Sequence, residues 1–170
     1  MRDGFEALYR AQYAAVHRFA TRRLSGPGVD DIVASTFELA WRKLPDDHPQ
    51  PVGWLIRTAS NLVKAELRRQ ARERRALRDA DIMDAPDDES SELDTLDRLL
   101  GQLPQAQREI LRLAYWDGLT AAQIAVVLGC SEQAAWKRIS RAKAALRAAW
   151  PTDPIDGEEA ETYASERDGR

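Results

Sequence analysis

The sequence predicts an all-α chain built as two small helical domains joined by a flexible acidic linker. Three observations carry this. Apolar residues recur close to every 3.6 positions over long segments, and no segment alternates with the period of two that a half-buried strand requires. Charge falls into blocks of alternating sign: residues 1–78 hold 15 Lys or Arg against 9 Asp or Glu, 79–97 hold 9 acids and no base, 98–150 hold 8 bases against 3 acids, and 151–170 hold 2 against 7. Between the basic blocks lies Asp84-Ala85-Pro86-Asp87-Asp88-Glu89-Ser90-Ser91, acidic, broken by proline and poor in apolar side chains, the composition of a tether that cannot bury a core. The expected organisation is a domain over 1–78, a linker over 79–97, a second domain over 98–150 and a disordered acidic tail over 151–170.

Each element follows from its local pattern. Phe5, Leu8, Val16, Phe19 and Leu24, flanked by Tyr9 and Tyr13, mark one long amphipathic helix that Ser25-Gly26-Pro27-Gly28 ends. Asp30 and Asp31 place negative charge at the start of a second helix, with Val29, Ile32, Val33, Thr36, Ala40 and Leu44 inward and Phe37 and Trp41 toward the edge of that stripe. The run from Pro45 to Pro51 cannot continue a helix, because each of its three prolines removes a donor and restricts the residue before it. A third helix is expected from about Val52 to Arg78, with Leu55, Ala59, Leu62, Val63 and Leu67 inward and a basic second half. Four more are expected at about Leu93–Leu100, Gln105–Tyr115, Ala121–Leu128 and Glu132–Ala149.

Composition narrows the function. The longest uncharged stretch, Gly118–Ser131, is shorter than the roughly 20 residues a membrane-spanning helix needs. The charged amino terminus leads into no apolar secretory core, so a cytoplasmic location is expected. One cysteine, Cys130, and two histidines, His17 and His48, make neither a disulfide nor a soft-ligand metal site. No metal, cofactor or small-molecule substrate is expected. Nor is an enzyme, since the chain has no phosphate-binding glycine loop and no nucleophile with a base at catalytic spacing.

The sharpest local signal runs from Gly118 to Glu132. Thr120 with Gln123 fits a capping box, Gly129 suits the left-handed residue at a helix end, and Ser131 can cap the next helix. This is the pattern of a helix-turn-helix. With Ala135, Ile139, Ala142 and Leu146 inward on the last helix, Gln133, Ala134, Lys137, Ser140, Arg141 and Ala144 fall on the opposite face. Such a face can enter a major groove, where Gln, Lys and Arg bond base edges and other cations hold phosphates. Trp136 lies at the border, suited either to packing on sugar or, with the better fit, to sealing the core.

The third helix carries Lys64, Arg68, Arg69, Arg72, Arg74, Arg75 and Arg78 against only Glu66 and Glu73 after position 63. A basic helix can be no more than a solvated face, and Trp54 can be no more than a core residue. Together with Asn61 and the proline-rich loop, however, they form a set suited to unpaired DNA: cations for phosphate, an aromatic for stacking, an amide for a base edge.

Over residues 4–149 the chain resembles the extracytoplasmic-function (ECF) sigma factors of bacterial RNA polymerase. The segment Asp30-Asp31-Ile32-Val33-Ala34-Ser35-Thr36-Phe37-Glu38-Leu39-Ala40-Trp41-Arg42 is similar to the part of sigma region 2 that binds the polymerase clamp helices. Trp54 to Leu62 is similar to the adjoining part that opens and reads the −10 element. Leu103 to Arg147 is similar to region 4, which binds the −35 element and the polymerase flap. By this resemblance, Asp30, Asp31, Val33, Phe37 and Trp41 would serve polymerase binding. Trp54, Arg57, Asn61, Lys64 and Arg68 would serve −10 DNA, with the Pro45–Pro51 loop cradling a flipped base. Gln133, Trp136, Lys137, Arg138, Ser140 and Arg141 would serve −35 DNA. The implied partners are core RNA polymerase, promoter DNA and an anti-sigma factor.

Two departures stand out. Ala34-Ser35 replaces a usual Gln-Glu, and Trp136-Lys137 stands where a cation followed by a small hydroxyl residue is common. They bear on polymerase affinity and promoter preference rather than on the fold. The competing reading is a stand-alone helix-turn-helix regulator whose first 78 residues form a dimerisation or sensor bundle; it leaves the basic third helix and its Trp-Asn pattern unexplained.

Overall fold

The computed structural model describes residues 2–24, 26–79 and 95–150. The expectations for the acidic linker over 80–94 and for the tail over 151–170 lie outside these residues. Within them every regular element is helical: α1 (Arg2–Thr21), α2 (Val29–Lys43), α3 (Pro51–Asp79), α4 (Thr95–Gln102), α5 (Gln105–Leu111), a π-helical turn (Arg112–Trp116), α6 (Ala121–Leu128) and α7 (Glu132–Ala149). No described helix is long and apolar enough to cross a membrane.

Helices α1, α2 and α3 pack pairwise around Val16, Phe19, Val33, Phe37, Leu55, Ala59 and Val63, all buried. Proline initiates α3 instead of preceding it: Pro51 is the first helical residue, where its missing N–H costs nothing. Leu67, read as inward, is 39% exposed: Val63 is the last buried residue of α3, the start of α2 meets the helix at Glu66 rather than at Leu67, and residues 71–78 are all exposed. In the carboxy-terminal half, α5, α6 and α7 close over Leu111, Leu113, Ile124, Ala135 and Ala142. Helix α4 begins at Thr95, inside the span read as linker, and ends two residues later than expected, at Gln102.

The helix expected over Gln105–Tyr115 widens into the π-helical turn at Arg112, closed by the bond from Asp117 N to Arg112 O at 2.9 Å. Such turns insert a residue into the helical ladder and turn the following side chains to new directions. Here the displaced residues are Tyr115 and Trp116, both exposed.

The two helical groups are not held apart. Helix α6 lies along α3 as the most extensive helix pair of the described residues, and one continuous apolar cluster runs through both groups. Gly53 makes this approach possible: a Cβ built on it would stand 2.9 Å from the Gln123 carbonyl oxygen and 3.1 Å from both Gln123 Cα and Val126 Cβ.

Candidate nucleic-acid interface

The helix-turn-helix is set by its caps. Thr120 N donates to Gln123 Oε1 at 2.9 Å and Gln123 N donates to Thr120 Oγ1 at 3.3 Å, the reciprocal pair expected of a capping box. Gly129 takes φ +64°, and Ala134 N donates to Ser131 Oγ at 3.2 Å to start α7. Ala135, Ile139 and Ala142 anchor α7 beneath, and Leu146 is half-buried. The opposite face carries Gln133, Lys137, Arg138, Ser140 and Arg141, all exposed. Trp136 joins them: at 58% exposure it is a surface residue, not a core seal. The buried stripe of α7 is Ala135, Ile139 and Ala142, and Trp136 lies one position, about 100° of helix, away from it.

On α3, Trp54, Arg57, Asn61, Lys64 and Arg68 are spaced by three and four residues and so form one stripe. Trp54 is half-buried against the core, whereas the other four are exposed. At its upper end the stripe meets α6: Arg57 Nη1 donates to the Val126 carbonyl at 3.3 Å. Farther along, Arg69 is engaged by its own helix, bonding Glu66 at 2.7 and 2.9 Å and also Glu73. Those bonds, with one from Gln70, hold the Glu66 carboxyl down to about 2, well below the ordinary carboxylate range.

Of the residues expected to serve polymerase binding, Asp30, Asp31 and Trp41 are exposed on α2. Val33 and Phe37 are not available: they are 2% and 4% exposed, and their side chains belong to the bundle core. Phe37 instead supports the surface from below, 4.7 Å edge-on to the half-exposed ring of Tyr9. Phe5 meets Trp41 edge-on at 4.9 Å.

A groove of about 600 Å³ opens between the start of α1, the end of α2 and the proline-rich loop, lined by Phe5, Leu8, Trp41, Leu44, Pro45 and Pro51 among others. A second, more apolar groove of about 360 Å³ lies between the π-helical turn and the end of α7, walled by Leu111, Tyr115, Trp116, Leu146 and Trp150 with Lys143 and Arg147 at its rim.

Comparison with known proteins settles the family. Residues 8–73 match the Sigma-70 region 2 family and residues 93–146 match Sigma-70, region 4. The ECF RNA polymerase sigma factor SigL of Mycobacterium tuberculosis is 33% identical over 158 residues, covering 83% of this chain and 85% of that protein. The chain belongs to the ECF sigma factors. The RNA polymerase sigma factor NccH of Alcaligenes xylosoxydans xylosoxydans is 37% identical over 134 residues, 71% of this chain and 72% of the relative. Among solved structures, CnrH in complex with the cytosolic domain of CnrY aligns with a TM-score of 0.58 at 28% identity, over 87% of this chain and 88% of that one. The sigma factor RpoE, bound to the anti-sigma factor NepR from Bartonella quintana, shares the fold at a TM-score of 0.61 and 23% identity, over 90% of this chain and 99% of that one.

Sequence reasoning about this sigma factor missed the residues that join its halves. Asp117 is only 3% exposed and takes two arginines at once, Arg22 Nη1 on Oδ1 at 2.8 Å and Arg23 Nη2 on Oδ2 at 2.9 Å. Arg23 also bonds Glu109 at 2.9 and 3.2 Å and lies 3.7 Å above the Phe19 ring. Arg22 donates to the Trp116 carbonyl at 2.7 Å. The available signals were two adjacent arginines in the turn after α1 and a glycine, Gly53, with no turn to make.

Proposed function

We propose that this sigma factor is a cytoplasmic, non-catalytic initiation factor that gives core RNA polymerase its promoter. The first domain, 1–78, docks on the polymerase clamp helices through the exposed face of α2, with Asp30, Asp31 and Trp41, and holds the opened −10 strand along the α3 stripe. The second, 98–150, lays α7 in the −35 major groove and meets the polymerase flap. The acidic span 79–97 tethers them, and 151–170 is a solubilising or regulatory tail.

The observation that carries the reading is the α3 stripe, because a duplex-binding helix-turn-helix alone gives no reason for it. Stacking and base-edge bonding favour unpaired DNA, and a factor that opens duplex must bind the open strand better than the closed one, by enough to offset a few kcal/mol of unstacking per base. Trp54 supplies an aromatic face beside the groove-forming loop, Asn61 an amide, and Arg57, Lys64 and Arg68 the phosphate contacts. The groove beside the loop has room for an extruded base, with Trp41 and Phe5 as apolar walls. The apolar groove at Tyr115 and Trp150 offers the flap an aromatic seat with cations at its edge. RpoE was crystallised with an anti-sigma factor, and a partner of that class, covering both reading faces, is proposed here too.

The deciding experiment is transcription from a defined promoter by purified core polymerase. The chain should suffice for specific initiation. A requirement for another sigma factor would make it a stand-alone regulator.

A further inference from the structure

We propose that Trp136 is a specificity residue of the −35 helix and that it selects thymine, by packing its indole on the C5-methyl group. The inference rests on the promoter reading above and adds to it the base that one side chain chooses.

Trp136 is the exposed aromatic that the chain itself does not use. Trp41 meets Phe5, Tyr9 and Tyr13 meet each other and Phe37, and Tyr115, Trp116 and Trp150 wall the apolar groove at the end of α7. Trp136 is the most exposed of the large apolar side chains, and among the described residues no ring, cation or hydrogen-bond acceptor engages it. It lines neither groove. A single exposed apolar residue needs no explanation by itself; the position of this one supplies it.

Helix α7 begins at Glu132, so Trp136 opens the second turn, in the amino-terminal part that a recognition helix presents to base edges. Gln133 lies three residues before it and Ser140 four after, on the same side of the helix and both exposed. Lys137, Arg138 and Arg141 add exposed positive charge around this group, and among the described residues no acid pairs with them. Duplex DNA is the partner that this charge favours, with phosphates to hold the helix in register while neighbouring side chains read bases.

Which base an indole can read follows from its chemistry. It has one N–H donor, no acceptor and a broad apolar plane. In the major groove cytosine offers a donor, adenine a donor beside an acceptor, and guanine two acceptors; only thymine offers an apolar group, the C5-methyl, beside a single acceptor, O4. Against cytosine or adenine the indole would cover an amino group from which it cannot accept a bond, and against guanine it would leave one acceptor unpaired. Thymine has a counterpart for both the apolar plane and the N–H.

The test uses the full chain assembled on purified core polymerase. Selection from random-sequence duplex gives the −35 sequence it binds. That duplex is then made with deoxyuridine replacing each thymidine in turn, which removes one methyl and leaves every hydrogen-bonding group in place. Competition binding compares the wild type with Trp136→Ala and Trp136→Phe, and far-UV circular dichroism checks that both variants fold. At one position uracil should weaken wild-type binding about fourfold, the value of one buried methyl. The same replacement should leave Trp136→Ala unaffected and keep part of its effect in Trp136→Phe. A uracil penalty of full size in Trp136→Ala assigns the methyl to another residue and overturns the proposal. A wild type with no uracil penalty at any position overturns it too, and a loss of affinity in Trp136→Ala alongside that result would place the indole on sugar. Either outcome leaves the promoter reading standing, whereas a wild type that selects no duplex sequence removes that reading and the proposal together.

Discussion

Replacing Gly53 by alanine sets two known effects against each other, and the structure decides which prevails. Within α3, alanine should help: a helical glycine costs about 0.5–1 kcal/mol relative to alanine, and less in a first turn. Across the interface it should hurt. The new methyl would stand 2.9 Å from the Gln123 carbonyl oxygen and 3.1 Å from two carbons of α6, one of them backbone. None of these is the free end of a flexible side chain, so the helices must part, and overpacking of this kind costs about 1–3 kcal/mol. The expected balance is a loss of about 1–2 kcal/mol, or about 2–8 °C in melting temperature for a chain of this size. Calorimetry of the full chain measures the total. Native-state hydrogen exchange locates it, because α6 amides should lose protection while amides around Phe19 and Val16 in α1 keep theirs. A melting temperature that rises, with α6 protection unchanged, would refute the claim that backbone approach at Gly53 joins the two halves.

Other expectations concern the reading faces. Arg141→Ala should weaken −35 duplex binding by about 1–3 kcal/mol if the side chain meets a base edge, or lower the salt slope by about one if it meets a phosphate; electrophoretic mobility shifts across a salt series separate the two. Asn61→Ala should impair open-complex formation, followed by permanganate reactivity, more than it impairs duplex binding. Asp31→Asn should lower affinity for polymerase without changing the melting temperature, whereas Phe37→Ala should destabilise the bundle by about 3–5 kcal/mol, visible in chemical denaturation. The Glu66 carboxyl should stay ionised down to about pH 2 in an NMR titration. Its acidity is depressed in the fold, so the stabilisation it contributes is fully present above the ordinary value of 4.5 and is lost as pH falls through about 2. Arg69→Met should restore a near-ordinary titration.

Much of this architecture is written in local chemistry. Thr120, Gln123, Gly129 and Ser131 specify where two helices begin and end whatever surrounds them, and the structure forms every one of those bonds. The α3 stripe is equally legible, since spacing alone places five side chains on one face. What was not legible depends on partners distant in sequence. Helical period put Leu67 inward because it cannot tell that the start of α2 meets α3 at Glu66 and leaves Leu67 uncovered. It placed Phe37 near an edge, but Tyr9 and Tyr13 from α1 cover that edge and turn it into core. Trp136 sits at the border of the α7 stripe, where helical period cannot choose between core and surface; the structure leaves it 58% exposed. The π-helical turn leaves no mark in an apolar pattern that continues through it.

The shared acid at the junction has a consequence for how such a chain adapts. Its two arginine partners, Arg22 and Arg23, are none of the side chains offered to nucleotides, so one change of charge there can alter how firmly the halves are joined while both reading faces keep their residues.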